Sequence, residues 1–164
     1  MNKIWKKESN NIYTFAIDDK LIGSLELQLN NKGVDIIRID KDVYTVEKPS
    51  FWKANIIIFD QEKNIVIQTS TEKWYSNKFK LEFKNKTYTL LCRNNPLSEW
   101  TIQLDEKDIL AYGLNAEKNS KVNMKVSSSD TEDIFLLDFL LFYLFLPIAI
   151  ENMGNEISMI NLDL

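Results

Sequence analysis

Ile134 to Ile150 near the end of this chain reads IFLLDFLLFYLFLPIAI, with Asp138 as its one charged residue. A helix built from it is apolar around its whole circumference. It has no face to turn toward water, so it must be surrounded on all sides. Lipid or protein can do that. At the helical rise the segment spans about 25 Å, short of the roughly 30 Å hydrocarbon core of a bilayer. Asp138 adds about 2.5–3.5 kcal/mol to insertion when it lies near the bilayer centre. From Asn123 onward the sole basic residue is Lys125, and the stretch ENMGNEISMINLDL that follows the segment is acidic. Positive anchoring on that side is therefore missing. Length and charge favour a helix enclosed by protein. The alternative is a C-terminal membrane anchor, which predicts detergent-dependent extraction.

The flanks set expected limits for the helix. Ser129 followed by Glu132 fits a capping box, and Asp130, Glu132 and Asp133 bring negative charge to a helix N-terminus. The helix is expected over about residues 130–150, starting near Asp130. Pro147 removes a backbone donor and clashes one turn back, which predicts a kink or a stop there. Asp138 inside an apolar helix must be paired, protonated or near an open end. A structural hydrogen bond near the end of the enclosing sheet is the favoured reading.

What could enclose it precedes it. Tyr13, Phe15 and Ile17 share one face, Asp18-Asp19-Lys20 forms a turn, and Leu21, Gly23, Leu25, Leu27 and Leu29 share a face at period two. The form recurs in ANIIIFDQEKNIVIQTS, where the segment from Asp60 to Asn64 separates two β-branched runs. In FKLEFKNKTYTLLC, Phe79, Leu81 and Phe83 point inward against Lys78, Lys80, Glu82 and Lys84 outside, and Tyr88, Leu90 and Cys92 return on the inner face. EWTIQLDEKDILAYGL places Trp100, Ile102 and Leu104 before a DEKD turn, and VDIIRI and KVNMKV read as further strands. Roughly ten or more strands with regular turn signals read as a sandwich or a barrel. A closed antiparallel sheet is the arrangement that surrounds an all-apolar helix.

Composition narrows the function. The chain has 164 residues, one domain's length, and a formal net charge of −4, which argues against a general nucleic-acid binder. It has no histidine, so Ser-His-Asp and Cys-His arrangements and imidazole metal sites are excluded. The single cysteine, Cys92, allows no internal disulfide and no cysteine-based zinc cluster, and its alternation suits a small inward core residue. The four glycines stand far apart, so no phosphate-binding glycine loop can form. The expectation is a non-enzymatic protein with no catalytic residue, no cofactor and no metal. The N-terminal MNKIWKKESNNIYTF carries no apolar secretory region. A cytoplasmic protein, peripheral to the membrane where it meets lipid, is expected.

These features together resemble the tubby-like superfamily, which includes the tubby C-terminal domain, the phospholipid scramblases and the LURP-one-related proteins. The residues that carry the likeness are FAIDDKLIGSLEL, FKLEFKNKTYTLLCRN followed by EWTIQLDEKDILAYGL, and the acid-capped DIFLLDFLLFYLFLPIAI. The likeness runs from about residue 5 to residue 152 and is one of architecture and pattern. It implies a mainly β fold: a closed antiparallel barrel of about twelve strands around a central hydrophobic C-terminal helix. One such domain would cover 1–152, with 153–164 a tail. The resemblance also implies a bacterial, lipid-binding member, since tubby domains bind phosphoinositide headgroups and scramblases act on membrane phospholipids.

One charge asymmetry marks a candidate ligand face. Between Thr71 and Arg93 stand Lys73, Lys78, Lys80, Lys84, Lys86 and Arg93, against Glu72 and Glu82. Such a face with Trp74 and Tyr75 beside it could meet an anionic membrane at about 1 kcal/mol per basic residue. The simpler account is that outward strand positions are usually charged and that lysine blunts sheet edges. Trp74 to Phe79 is either an exposed aromatic loop or, the preferred reading, a plug at one end of the sheet. The partner is an anionic membrane surface or phosphoinositide headgroup, or one protein partner; no nucleic-acid partner is expected, and the chain is expected to be a monomer. The functional alternative is a small bacterial interaction protein, such as an immunity-type inhibitor with no lipid ligand.

Overall fold

A computed structural model describes residues 2–29, 33–48, 55–71, 73, 75–94, 97–116, 122–128, 135–153 and 159–161. The strands are β1 (Lys3–Lys7), β2 (Ile12–Ile17), β3 (Lys20–Glu26), β4 (Asp35–Ile39), β5 (Asp42–Glu47), β6 (Ile57–Phe59) and β7 (Ile65–Ser70). They continue as β8 (Lys78–Phe83), β9 (Lys86–Asn94), β10 (Ser98–Leu104), β11 (Lys107–Ala116) and β12 (Val122–Ser128), then helix α1 (Phe135–Met153) and β13 (Met159–Asn161). Eleven successive antiparallel pairings join β1 through β12 in chain order, and β13 pairs with β12 in parallel.

The hairpin tips explain that order. Asp18-Asp19, Lys84-Asn85 and Asp105-Glu106 are two-residue loops with positive φ at both positions, the twist that continues a right-handed hairpin. The turns are tighter than their sequence outlines, because Lys20, Lys107 and Asp108 already belong to strands. Asp and Asn tolerate this conformation, whereas Glu106 at φ 65 gains nothing from it. Glu106→Gly is therefore expected to raise stability by about 0.5–1 kcal/mol, read as a higher denaturant midpoint at unchanged slope.

Every strand from β1 to β12 sends at least one buried side chain into a single core around α1, from Trp5 in β1 to Val126 in β12. On the helix, Leu137, Phe139, Leu140, Leu141, Phe142, Phe145 and Ala149 are fully enclosed. Trp5 stacks on Phe142 at 3.8 Å and on Phe15 at 4.7 Å, and meets Phe139 edge-on at 4.9 Å. Gly23 lets β3 pass close to this cluster. A Cβ there would lie 2.1 Å from the Arg38 carbonyl oxygen and 3.1 Å from the Phe139 ring. The segment Phe135–Asn152, with mean hydropathy 1.7, is long and apolar enough to cross a membrane, and 61% of it is buried inside the protein.

Several expectations change. A mainly β chain carrying one C-terminal helix is what the structure contains, but hydrogen-bonded closure into a barrel is not observed. β1 and β13 lie side by side, and no ladder joins them among the described residues. β13 is three residues long and returns in parallel because α1 carries the chain back across the sheet. It falls within what was expected to be a tail. Leu21 does not share the inner face with Leu25: it is 65% exposed, because the bulge opposite Phe15 and Ala16 inserts Ile22 and reverses the alternation. Leu29 lies beyond the end of β3 and is exposed as well. Pro147 does not stop α1, which continues to Met153. The proline stands on an exposed position of the helix. The expected start near Asp130 and its capping residues lie outside the described residues.

Candidate functional site

Two polar constellations stand out, one inside the sheet and one outside. Inside, Asp138 is fully buried and accepts two hydrogen bonds from Lys3 Nζ, at 2.8 and 3.0 Å. The Tyr112 hydroxyl donates to Asp138 Oδ1 at 2.9 Å and accepts from Trp5 Nε1 at 3.0 Å. Burial pushes the Asp138 carboxyl above its usual range, against the pull of the Lys3 ammonium and of the hydrogen bonds. Burial, with the Asp138 carboxylate beside it, pushes the Tyr112 phenol well above its ordinary value. The expectation of a structural hydrogen bond at Asp138 is met by an ion pair that ties the first strand to the helix. A period-two reading of KIWKK shows the signal: Lys3 lies on the same inward face as Trp5. The cluster is sealed and mutually partnered, so it works as a fastening rather than as a place for a ligand.

Midway along the helix, the Tyr143 hydroxyl donates to Asp35 Oδ2, and Lys48 Nζ sits 4.5 Å from the centre of the Tyr143 ring. Asp35 also accepts from the Gln28 backbone at 2.8 Å. Burial and then the Asp35 carboxylate push the Tyr143 phenol far above its usual value. Tyr143 thus holds the β3–β4 connection to the helix.

Outside, β8 turns Lys78, Lys80 and Glu82 outward, with Leu81 and Phe83 buried and Phe79 half-buried on the other face, as its alternation predicts. Cross-strand register builds polar rows on this surface. Ser70, Lys80 and Thr89 form one row across β7, β8 and β9, and Gln68, Glu82 and Thr87 form the next. The β7–β8 connection brings Lys73 and Ser76 to the same place. Together Lys73, Lys78 and Lys80, with the hydroxyls of Ser70, Thr71, Ser76, Thr87 and Thr89, line a hollow of about 410 Å³. Lys84 and Lys86 line a neighbouring hollow of about 630 Å³, together with Asp60 and Glu82, and Thr87 lines both hollows.

Arg93 belongs to neither. It makes two bonds to Asp108, at 2.8 and 3.1 Å, and a longer one to Glu99 at 3.4 Å, on the outer face of β9–β11. The Arg93 guanidinium holds the Asp108 carboxyl below the usual carboxylate range. The six basic residues marked in the sequence thus divide into three around one hollow, two around its neighbour and one held by acids. Lys80 pairs with Glu82.

Tyr75 is 68% exposed, so it does not plug the sheet, and Trp74 lies outside the described residues. Phe79 is half-buried and packs toward Trp100 at 5.8 Å. Cys92 lies opposite Trp100 in the ladder and against the core, and burial pushes its thiol up. Among the described residues, no group of His, Cys, Asp or Glu is arranged to hold a metal ion.

Fold and surface define a mainly β protein that packs a buried helix and carries a lysine- and hydroxyl-lined hollow on three adjacent strands. No family model, curated protein or solved structure matches the chain.

Proposed function

We propose that the protein is a non-enzymatic binding module of tubby-like type. In this reading the sheet closes as a barrel at the seam between β1 and β13, and the module takes an anionic phosphate headgroup in the hollow of β7, β8 and β9. The observation that supports it is the convergence of Lys73, Lys78 and Lys80 with five hydroxyl side chains on one concavity. Lysine supplies the charge, and the hydroxyls of Ser70, Ser76, Thr87 and Thr89 supply rotatable donors to phosphate oxygens, while that of Thr71 donates to the Lys73 carbonyl. The module works at the cytoplasmic face of an anionic membrane.

Charge reversal separates the two hollows. Lys73→Glu/Lys78→Glu/Lys80→Glu should lower co-sedimentation with anionic vesicles roughly a hundredfold, at about 1 kcal/mol per basic residue. Lys84→Glu/Lys86→Glu should lower it clearly less, because these residues serve the other hollow and act only through general surface charge. Equal losses for both variants would reduce the effect to general surface charge, and unchanged binding for both would end the reading.

A second reading, an interaction or immunity-type protein without a lipid ligand, rests on large apolar side chains left exposed at the surface. Leu29 is 70% exposed and Ile150 46%. Such a protein should ignore vesicle composition altogether.

A further inference from the structure

Resting on the anion-binding reading, we propose that Glu82 is a built-in competitor for Lys80 that makes the hollow selective for phosphate monoesters over phosphate diesters. Lys78, Lys80 and Glu82 are consecutive outward positions of β8, and Lys80 is ion-paired with Glu82. The pair is half exposed on both sides, 54% and 51%, so water screens it and it exchanges readily. An empty hollow therefore keeps one of its three cations occupied by the protein's own carboxylate.

The charge of the incoming group decides whether that carboxylate gives way. A phosphate diester carries one negative charge, the same as Glu82. Taking Lys80 from Glu82 exchanges one monoanion for another and leaves the carboxylate close to the ligand. A phosphate monoester carries a charge of about −1.5 to −2 near neutral pH and offers three strong acceptor oxygens. It gains more from Lys73, Lys78 and Lys80 than Glu82 loses. The released carboxylate has somewhere to turn, because Glu82 also lines the neighbouring hollow with Lys84 and Lys86. Ser70 and Thr89, which flank Lys80 in its cross-strand row, stand ready to donate to the extra oxygens.

The experiment uses the full chain and vesicles of phosphatidylcholine alone, with phosphatidic acid as the monoester, or with phosphatidylglycerol as the diester. Glycerol 3-phosphate and inorganic phosphate serve as soluble competitors. The native protein is expected to prefer phosphatidic acid by about tenfold, and glycerol 3-phosphate should compete. Glu82→Gln keeps shape and solubility; it should tighten phosphatidylglycerol binding by about two- to fivefold, so that the preference shrinks. Direct binding of glycerol 3-phosphate in the absence of vesicles, with the same dependence on Glu82, would support the selectivity and identify a free phosphoester as its source. A native protein that binds both lipids equally, or a Glu82→Gln variant that keeps the native preference, would overturn the role of Glu82 and leave the anion site standing. Failure of the native protein to bind either lipid or either soluble phosphate would overturn the site itself.

Discussion

Lys3→Met should cost about 3–5 kcal/mol at neutral pH, because it leaves the Asp138 carboxylate buried without its cation. For a domain whose whole margin is about 5–15 kcal/mol, that is a large share. At about 2–4 °C per kcal/mol for a chain of this size, the melting temperature should fall by roughly 6–20 °C. The pH dependence carries the signature. Burial already raises the Asp138 carboxyl in the native protein, and Lys3 is what opposes the shift. In Lys3→Met the folded-state value rises further above the unfolded one. The protonated form is then favoured by folding, so stability is recovered as pH falls through the raised folded value and lost as pH rises through it. The variant should melt higher on mild acidification, opposite to ordinary acid unfolding. Lys3→Met/Asp138→Leu removes both charges and should recover most of the loss, since a buried pair replaced by packed apolar groups is often neutral. Thermal melts of the two variants between about pH 5 and 8 decide it. A Lys3→Met variant as stable as the native chain at pH 7 would mean that the ion pair contributes nothing.

Trp5→Ala should be about as damaging, at about 3–5 kcal/mol. Its ring is the hub between the sheet and the helix, touching Phe15, Phe139 and Phe142, and its indole donates to Tyr112. Truncation opens a cavity and removes stacking worth a further increment beyond the lost area. Trp5→Phe keeps part of the stacking and loses the indole donor, so it should fall between the two. Urea unfolding followed by far-UV circular dichroism gives the ordering native, Trp5→Phe, Trp5→Ala. A Trp5→Ala loss below about 1 kcal/mol would show that the β1–β2 aromatic face does not hold the helix.

These two residues also show how far the sequence could be read. The helix was legible because an all-round apolar segment leaves few ways to be satisfied in water, and the strand alternation of β8 and β10 placed their inward residues correctly. Asp138 announced itself as an anomaly, but its partner lies 135 residues earlier in the chain. Only the fold brings Lys3 there. Leu21 was misread because a bulge moves one residue and inverts every neighbour beyond it, and short apolar strands give no sign of such an insertion. Pro147 does not stop the helix, one of its two expected effects; α1 runs on to Met153 because its packing carries it past an exposed proline, which is a property of the packed helix.

The basic face was legible in part for the same reason. Lys78 and Lys80 could be assigned to the outer surface from alternation alone. Their union with Ser70, Ser76 and Thr89 needs the cross-strand register and the path of the β7–β8 connection. Arg93 looked equivalent to the lysines by position and charge. Register sets it opposite Glu99, and the hairpin turn brings Asp108 beside it.

All of this rests on the helix being enclosed by the sheet and fastened by Lys3. Backbone hydrogen exchange of residues 136–146, in a monodisperse sample without detergent, tests it most directly. The amides of Leu137 to Leu146 should exchange only through global unfolding in the native protein, and sooner in Lys3→Met by the same free energy that its melts lose. Fast exchange in this segment while the strands stay protected, or a native chain that stays monodisperse only with detergent, would contradict the enclosed helix.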